Sequence, residues 1–192
     1  MNRDTITIVS GLPRSGTSMM MKMLEAGGIE PMTDNIRKAD QDNPKGYFEL
    51  EKVKQLDKSE DREWLNQAQG KVVKIISQLL KELPANHTYK VLFMRRKMEE
   101  ILASQKQMLI RRGEPTDNIK DEELARLFEK HLLQVEEWLQ KQPNFDVRYV
   151  PYNDVLNHPA RYAEEINTFL GGDLDTGAMA AMVDKSLHRQ RV

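Results

Sequence analysis

The chain contains no cysteine. That absence excludes disulfides, thiolate zinc sites and a cysteine nucleophile together, and it suits a reducing compartment. An excess of one charge is missing too: 29 Lys and Arg stand against 30 Asp and Glu, a formal net charge of −1. A global basic field that would attract nucleic acid is therefore lacking, and nucleic acid is not an expected partner. Any affinity for anions has to come from local placement of Arg, Lys and backbone N–H groups. Long apolar runs are absent as well, and nothing approaches the roughly 18 uninterrupted apolar residues of a membrane span. Met1-Asn2-Arg3-Asp4 leads straight into a strand-like segment, so no signal peptide is expected, and a cytoplasmic protein is the default. The four histidines, His87, His131, His158 and His188, nowhere pair at zinc-ligand spacing, so no metal is expected.

What remains is a chain of 192 residues, 39% hydrophobic and 31% charged. That is enough for one globular domain, residues 1–192, with a real core and heavily charged helix surfaces. Residues 5–10 are β-branched and apolar, the pattern of a buried strand. Residues 18–26 read as a helix stopped by Gly27-Gly28. Residues 30–47, broken by Pro31, Pro44 and Gly46, read as irregular, and 49–69 as a charged helix anchored by Trp64 and Leu65. Strands are predicted at 71–76, 89–94 and 145–150, and a short helix at 77–83. Longer helices are predicted at 97–112, 121–142 and 159–170, the second on a 3.6-residue apolar stripe, and the tail from Asp173 reads as helical. Strands alternating with helices argue for a single three-layer α/β domain, a parallel sheet with helices on both faces. A ligand is then expected at the C-terminal ends of the strands. The Met19-Met20-Met21 run and Met23 read as helix core.

The most informative segment is Gly11-Leu12-Pro13-Arg14-Ser15-Gly16-Thr17-Ser18, between the first strand and the first helix. Glycines at this spacing let backbone N–H groups approach a phosphate, and the helix adds its positive dipole end. The Walker lysine is missing: Gly16 is followed by Thr17-Ser18, and Arg14 sits inside the loop. Such a loop can hold a phosphate, but it lacks the cation that serves triphosphate chemistry.

In this combination Pro13-Arg14-Ser15-Gly16-Thr17-Ser18 resembles the 5′-phosphosulfate loop of the sulfotransferases that use 3′-phosphoadenosine 5′-phosphosulfate (PAPS). After the third strand, Arg96 and Ser104 stand eight residues apart, as do the family's Arg and Ser for the 3′-phosphate. Lys97-Met98 replaces the more usual Asp/Asn-Pro that follows the Arg. Tyr152-Asn153-Asp154-Val155-Leu156, then Pro159 and Phe169-Leu170-Gly171, is similar to the family's C-terminal half. The resemblance implies a P-loop nucleotide-kinase-like sulfotransferase fold. It implies PAPS as donor, adenosine 3′,5′-bisphosphate as product and no metal. Arg14, Ser15, Gly16, Thr17, Ser18, Arg96 and Ser104 would form the nucleotide site. The basic tail at His188-Arg189-Gln190-Arg191 either closes over the 3′-phosphate, as in several members, or is a solvated terminus.

Sulfuryl transfer needs a nucleophile in line with the sulfur, with preorganised cations and N–H groups facing the leaving phosphate. Arg14 is the first candidate. Lys74, at the end of the second strand, resembles the strand Lys near the leaving group in cytosolic members. Those enzymes place a histidine base two residues further on, and here that position is Ile76. A carboxylate is the expected replacement: Glu49, with Asp42 as the fallback. Glu49 also fits an exposed glutamate at a helix N-terminus. The acceptor, a small molecule or glycan bearing a hydroxyl or amine, would sit against residues 32–48 and 109–127. Two alternatives remain open, a non-catalytic nucleotide-binding module and a P-loop nucleotide kinase.

Overall fold

The structure, a computed structural model, describes residues 4–34, 36, 46–116 and 118–189. Strand β1 (Thr5–Gly11) is buried at every position, which its run of Thr, Ile and Val predicts for a strand covered on both faces. It lies between β2 (Val72–Lys74) and β3 (Thr88–Arg95), and β4 (Phe145–Pro151) completes the order β2-β1-β3-β4, all parallel. Because Val9 is level with Lys74 and Gly11 with Met94, while Arg95 is level with Pro151, the chain leaves all four strands along one edge. The chain passes from β1 to β2 on one side and then to β3 on the other. This reversal opens a crevice at the carboxyl end of β1, where such sheets bind ligands.

Alternation along the strands divides the core between the two faces of the sheet. On one face Val9, Val72, Leu92, Met94 and Val150 pack against α1 (Thr17–Ala26), α5 (Tyr152–Asn157), α6 (Pro159–Leu170) and α7 (Thr176–Ala181). On the other, Ile6, Ile8, Val73, Val91 and Phe93 meet Trp64, Leu65, Leu80 and Leu139. The result is one three-layer α/β domain. The methionines of α1 are core: Met20, Met21 and Met23 are fully buried, each burial contributing roughly 1.5–3 kcal/mol. They anchor α1 on the sheet and thereby fix the direction of its N-terminus.

Three local expectations change. The helix predicted at 49–69 is instead α2 (Glu51–Lys54) and a separate 3-10 turn, Glu63–Ala68. Between them Asp61 N–H donates to Ser59 Oγ, and Glu63 N–H to Asp61 Oδ1. These side-chain bonds offer the backbone an alternative to the helix ladder. Arg62 then reaches across to the carbonyls of Leu56 and Glu82 and fixes the break. Residues 77–83 form a 3-10 turn, Ser77–Glu82. The tail is helical only over α7, before a short 3-10 turn at Lys185–Leu187. The remaining helices are α3 (Met98–Arg112) and α4 (Asp121–Leu139). The apolar stripe of α4 reaches the sheet through its C-terminal half, Leu132, Val135, Trp138 and Leu139, while Leu127 and Leu133 are exposed. Among the described residues no helix is long and apolar enough to cross a membrane.

Candidate active site

The loop after β1 turns on two residues of positive φ, Arg14 (+71°) and Gly16 (+102°). Ser15 N–H closes a turn on Leu12 O at 3.2 Å. At Gly16 only glycine fits: an added Cβ would stand 2.3 Å from Cδ2 of Tyr152. The loop thus lies flat on the Tyr152 ring and enters α1 through Gly16. The first turn of α1 has no acidic residue, and no side chain among the described residues caps it. That leaves a helix N-terminus with its positive dipole end suited to an anion.

Gly16, Thr17 and Ser18 line a cavity of about 370 Å³. Seven Lys and Arg side chains line it against two carboxylates, Glu49 and Asp184. In a chain of net charge −1 this is a local concentration of positive charge, which selects anions where the whole molecule does not. Ser15 is placed differently from its loop neighbours. It is buried, it does not line the cavity, and its hydroxyl has no partner among the described residues.

Arg14, Lys74, Arg96 and Ser104 come together in this cavity from four segments. Arg14 Nε donates to Ser104 Oγ at 2.9 Å, joining the loop to α3. Arg96, just past β3, donates through Nη1 to Arg14 O at 3.0 Å and through Nε to Glu100 Oε2 at 2.7 Å. Its guanidinium lies 4.5 Å from the centroid of the Tyr152 ring, a cation–π contact that fixes its plane. Lys74, at the end of β2, donates to the carbonyl of Tyr47 and lies 3.5 Å from Ser18 Oγ.

Glu49 lines the same cavity, and its carboxylate stands 3.3 Å from Lys54 Nζ. Its backbone carbonyl accepts from Thr33 Oγ1 and Asp34 N–H, which pins the segment. The place of an exposed glutamate in a helix first turn belongs to Glu51, where α2 begins. Asp42 lies outside the described residues, as do most of 32–48 and Gln190 and Arg191 of the tail. From the segments expected to hold an acceptor, Tyr47, Arg111 and Arg112 line the cavity. Ile76, where a histidine base would stand, is partly exposed at its wall.

Sequence reasoning passed over Glu100 altogether. Its side chain is 1% exposed, and it accepts from Arg96, from Asn153 Nδ2 at 2.8 Å and from His188 Nε2 at 2.8 Å. Burial works against its charge, yet the bonds from Arg96, Asn153 and His188 outweigh it and hold the carboxyl below the ordinary value of 4.5. The signal available was its place four residues after Arg96 on a helix.

Of the other histidines, His131 bonds Ser77 Oγ at 2.8 Å. Burial, and then the charge of Lys81, push its imidazole below 6.5. The folded state therefore binds that proton less tightly than the unfolded one, and stability falls as pH drops below about 6.5. In His131→Gln this part of the pH dependence should disappear. Urea midpoints between pH 7 and pH 5 measure it, and an unchanged slope would contradict the assignment.

A parallel four-stranded sheet, a glycine-turned loop on a helix N-terminus and a cationic crevice at the strand ends define an α/β protein with a pocket suited to anions. Within that class, the sulfotransferase domain family profile matches residues 4–190, and the chain belongs to that family. Among solved structures, the sulfotransferase domain of the Synechococcus PCC 7002 olefin synthase is 15% identical. It aligns over 98% of this chain and 80% of its own, with a TM-score of 0.57. The sulfotransferase domain from the curacin biosynthetic pathway is also 15% identical, over 98% and 92% of the two chains, with a TM-score of 0.55. At this identity the likeness speaks for the fold. No curated protein sequence matches the chain. Among the described residues no group of three or more His, Cys, Asp or Glu is placed to hold a metal ion.

Proposed function

We propose that the protein transfers a sulfuryl group from PAPS to a hydroxyl or amine of a small-molecule or glycan acceptor. The observation that carries this reading is the convergence of Arg14, Lys74, Arg96 and Ser104 on one cavity with a carboxylate, Glu49, in its wall. Arg14, Gly16, Thr17 and Ser18 would hold the 5′-phosphosulfate, through the first-turn N–H groups of α1 and the loop cation. Ser15 would act from beneath, through the shape of the turn. Arg96 and Ser104 would take the 3′-phosphate that distinguishes PAPS from ATP.

In the transfer the acceptor oxygen forms a bond to sulfur as the bond from sulfur to the 5′-phosphate oxygen breaks. Charge grows on that leaving oxygen, where Lys74 and Arg14 stabilise it. The acceptor proton passes to Glu49, late in the step, when bonding to sulfur has made the hydroxyl acidic. Lys54 Nζ, 3.3 Å from the Glu49 carboxylate, fixes the position of that head group at the cavity wall. We place the enzyme in the cytoplasm, since a chain without cysteine suits a reducing compartment.

Glu49→Gln should lower the turnover number about 10²–10⁴-fold and leave the dissociation constant of adenosine 3′,5′-bisphosphate within a few-fold. Transfer of label from [³⁵S]PAPS to a phenol panel, beside calorimetry, measures both. Full turnover in the variant would remove Glu49 from the role of base. Nucleotide binding with no turnover in the wild type would make the protein a nucleotide-binding module.

A further inference from the structure

The last described residues form part of the wall of the cavity: Met182, Asp184, Leu187 and Arg189 all line it. The segment has little regular structure beyond the turn at Lys185–Leu187, which Asp184 caps through Ser186 N–H and Oγ. Met182 and Val183 pack against the core, and a polar tie is made by His188. Its Nε2 lies 2.8 Å from Glu100 Oε2, and its ring meets Tyr152 edge-on at 5.6 Å.

Glu100 is an unusual anchor. Neutralising Arg96 requires one carboxylate and one bond, yet Glu100 is buried with three partners, from three segments. Arg96 holds the phosphate loop through Arg14 O. Asn153 belongs to α5, beside the Tyr152 ring on which Gly16 rests. His188 belongs to the tail wall. A buried charge is tolerated only while its partners stay in place, and removing one leaves the rest poorly satisfied. The carboxylate therefore links the positions of the loop, the α5 turn and the tail.

We propose that Glu100 and His188 form a latch that holds residues 182–189 against the cavity and sets the orientation of Arg96, which makes both positioning residues for the donor. This inference rests on the donor reading proposed above. Neither side chain touches the nucleotide in this account. Arg96 Nε and the tail are held before any ligand arrives, so donor binding does not have to order them. Breaking the latch weakens donor affinity without removing a ligand contact.

The test uses the full chain, adenosine 3′,5′-bisphosphate as probe, and amide hydrogen exchange of 182–189 in the unliganded protein. In His188→Ala, exchange over the tail should accelerate and the bisphosphate should bind about tenfold more weakly, a difference of about 1.4 kcal/mol. His188→Gln, whose amide can still donate to Glu100, should restore most of both. Glu100→Gln should show the same pair of effects. Should it fail to fold, the His188 pair carries the test. Adding Glu100→Gln to His188→Ala should cost less than the two single effects summed, since they break one linkage. Tail exchange and affinity unchanged in His188→Ala would overturn the latch. Faster exchange with unchanged affinity would overturn the positioning role. If the wild type does not bind the bisphosphate, the donor reading fails instead. Tail exchange in the unliganded variants then decides the latch alone, acceleration supporting it and wild-type rates overturning it.

Discussion

Gly16→Ala should weaken binding of adenosine 3′,5′-bisphosphate by at least about a hundredfold, close to 2.8 kcal/mol. Two costs combine. At φ +102° a residue with a Cβ is strained by roughly 1–2 kcal/mol. Its Cβ would also stand 2.3 Å from the Tyr152 ring, which has to move. Tyr152 cannot move alone, because Arg96 lies 4.5 Å over its face and His188 meets its edge. The loop, Arg96 and the tail shift together. Gly28→Ala is the control: φ there is +101°, with nothing within 4 Å of an added Cβ, so it carries the strain without the clash. Gly28→Ala should lower the melting temperature by a few degrees and leave nucleotide binding unchanged. Equal binding by both variants and the wild type would show that the loop is not the phosphate cradle.

The second large effect is at Lys74. Its ammonium is held by the Tyr47 carbonyl near Ser18 Oγ, at the β2 end of the crevice, where the leaving phosphate would develop charge. Lys74→Met keeps the aliphatic stem and removes the cation. It should cut the turnover number about 10²–10³-fold, the scale measured for losing one preorganised donor. The Michaelis constant for PAPS should move far less, because that charge develops in the transition state. Lys74→Arg should recover part of the rate. Single-turnover transfer from labelled PAPS separates the two quantities. A rise in Michaelis constant at unchanged turnover would instead make Lys74 a ground-state ligand of the donor.

Where the sequence was legible, a single strong physical signal was present. Residues 5–10 are rich in β-branched types, 91–94 are an apolar run, and Gly27-Gly28 stops α1 where the residue types predict. The positions of Gly11 and Gly16 are legible because a backbone that turns at positive φ admits few residues. The stretch 49–69 misleads because charged residues are compatible with a helix without requiring one. Its outcome was decided by Ser59, Asp61 and Arg62 capturing backbone groups.

Glu100 was hidden for a related reason. A glutamate four residues after an arginine on a charged helix reads as an exposed ion pair. Only the return of the chain at Asn153 and again at His188 buries it. The bond from Arg14 to Ser104 is equally non-local, spanning 90 residues, and no periodicity announces it. Ser15 shows the converse: a loop residue whose neighbours face the cavity turns its own hydroxyl into the protein.

The most direct measurement is calorimetric titration of the protein with adenosine 3′,5′-bisphosphate, beside ATP and AMP, with and without magnesium. A cavity that reads a 3′-phosphate through Arg96 and Ser104 predicts micromolar binding of the bisphosphate, indifferent to magnesium and weakened by Arg96→Ala or Ser104→Ala. A preference for ATP with magnesium, or no binding of any of the three, would contradict PAPS as the donor.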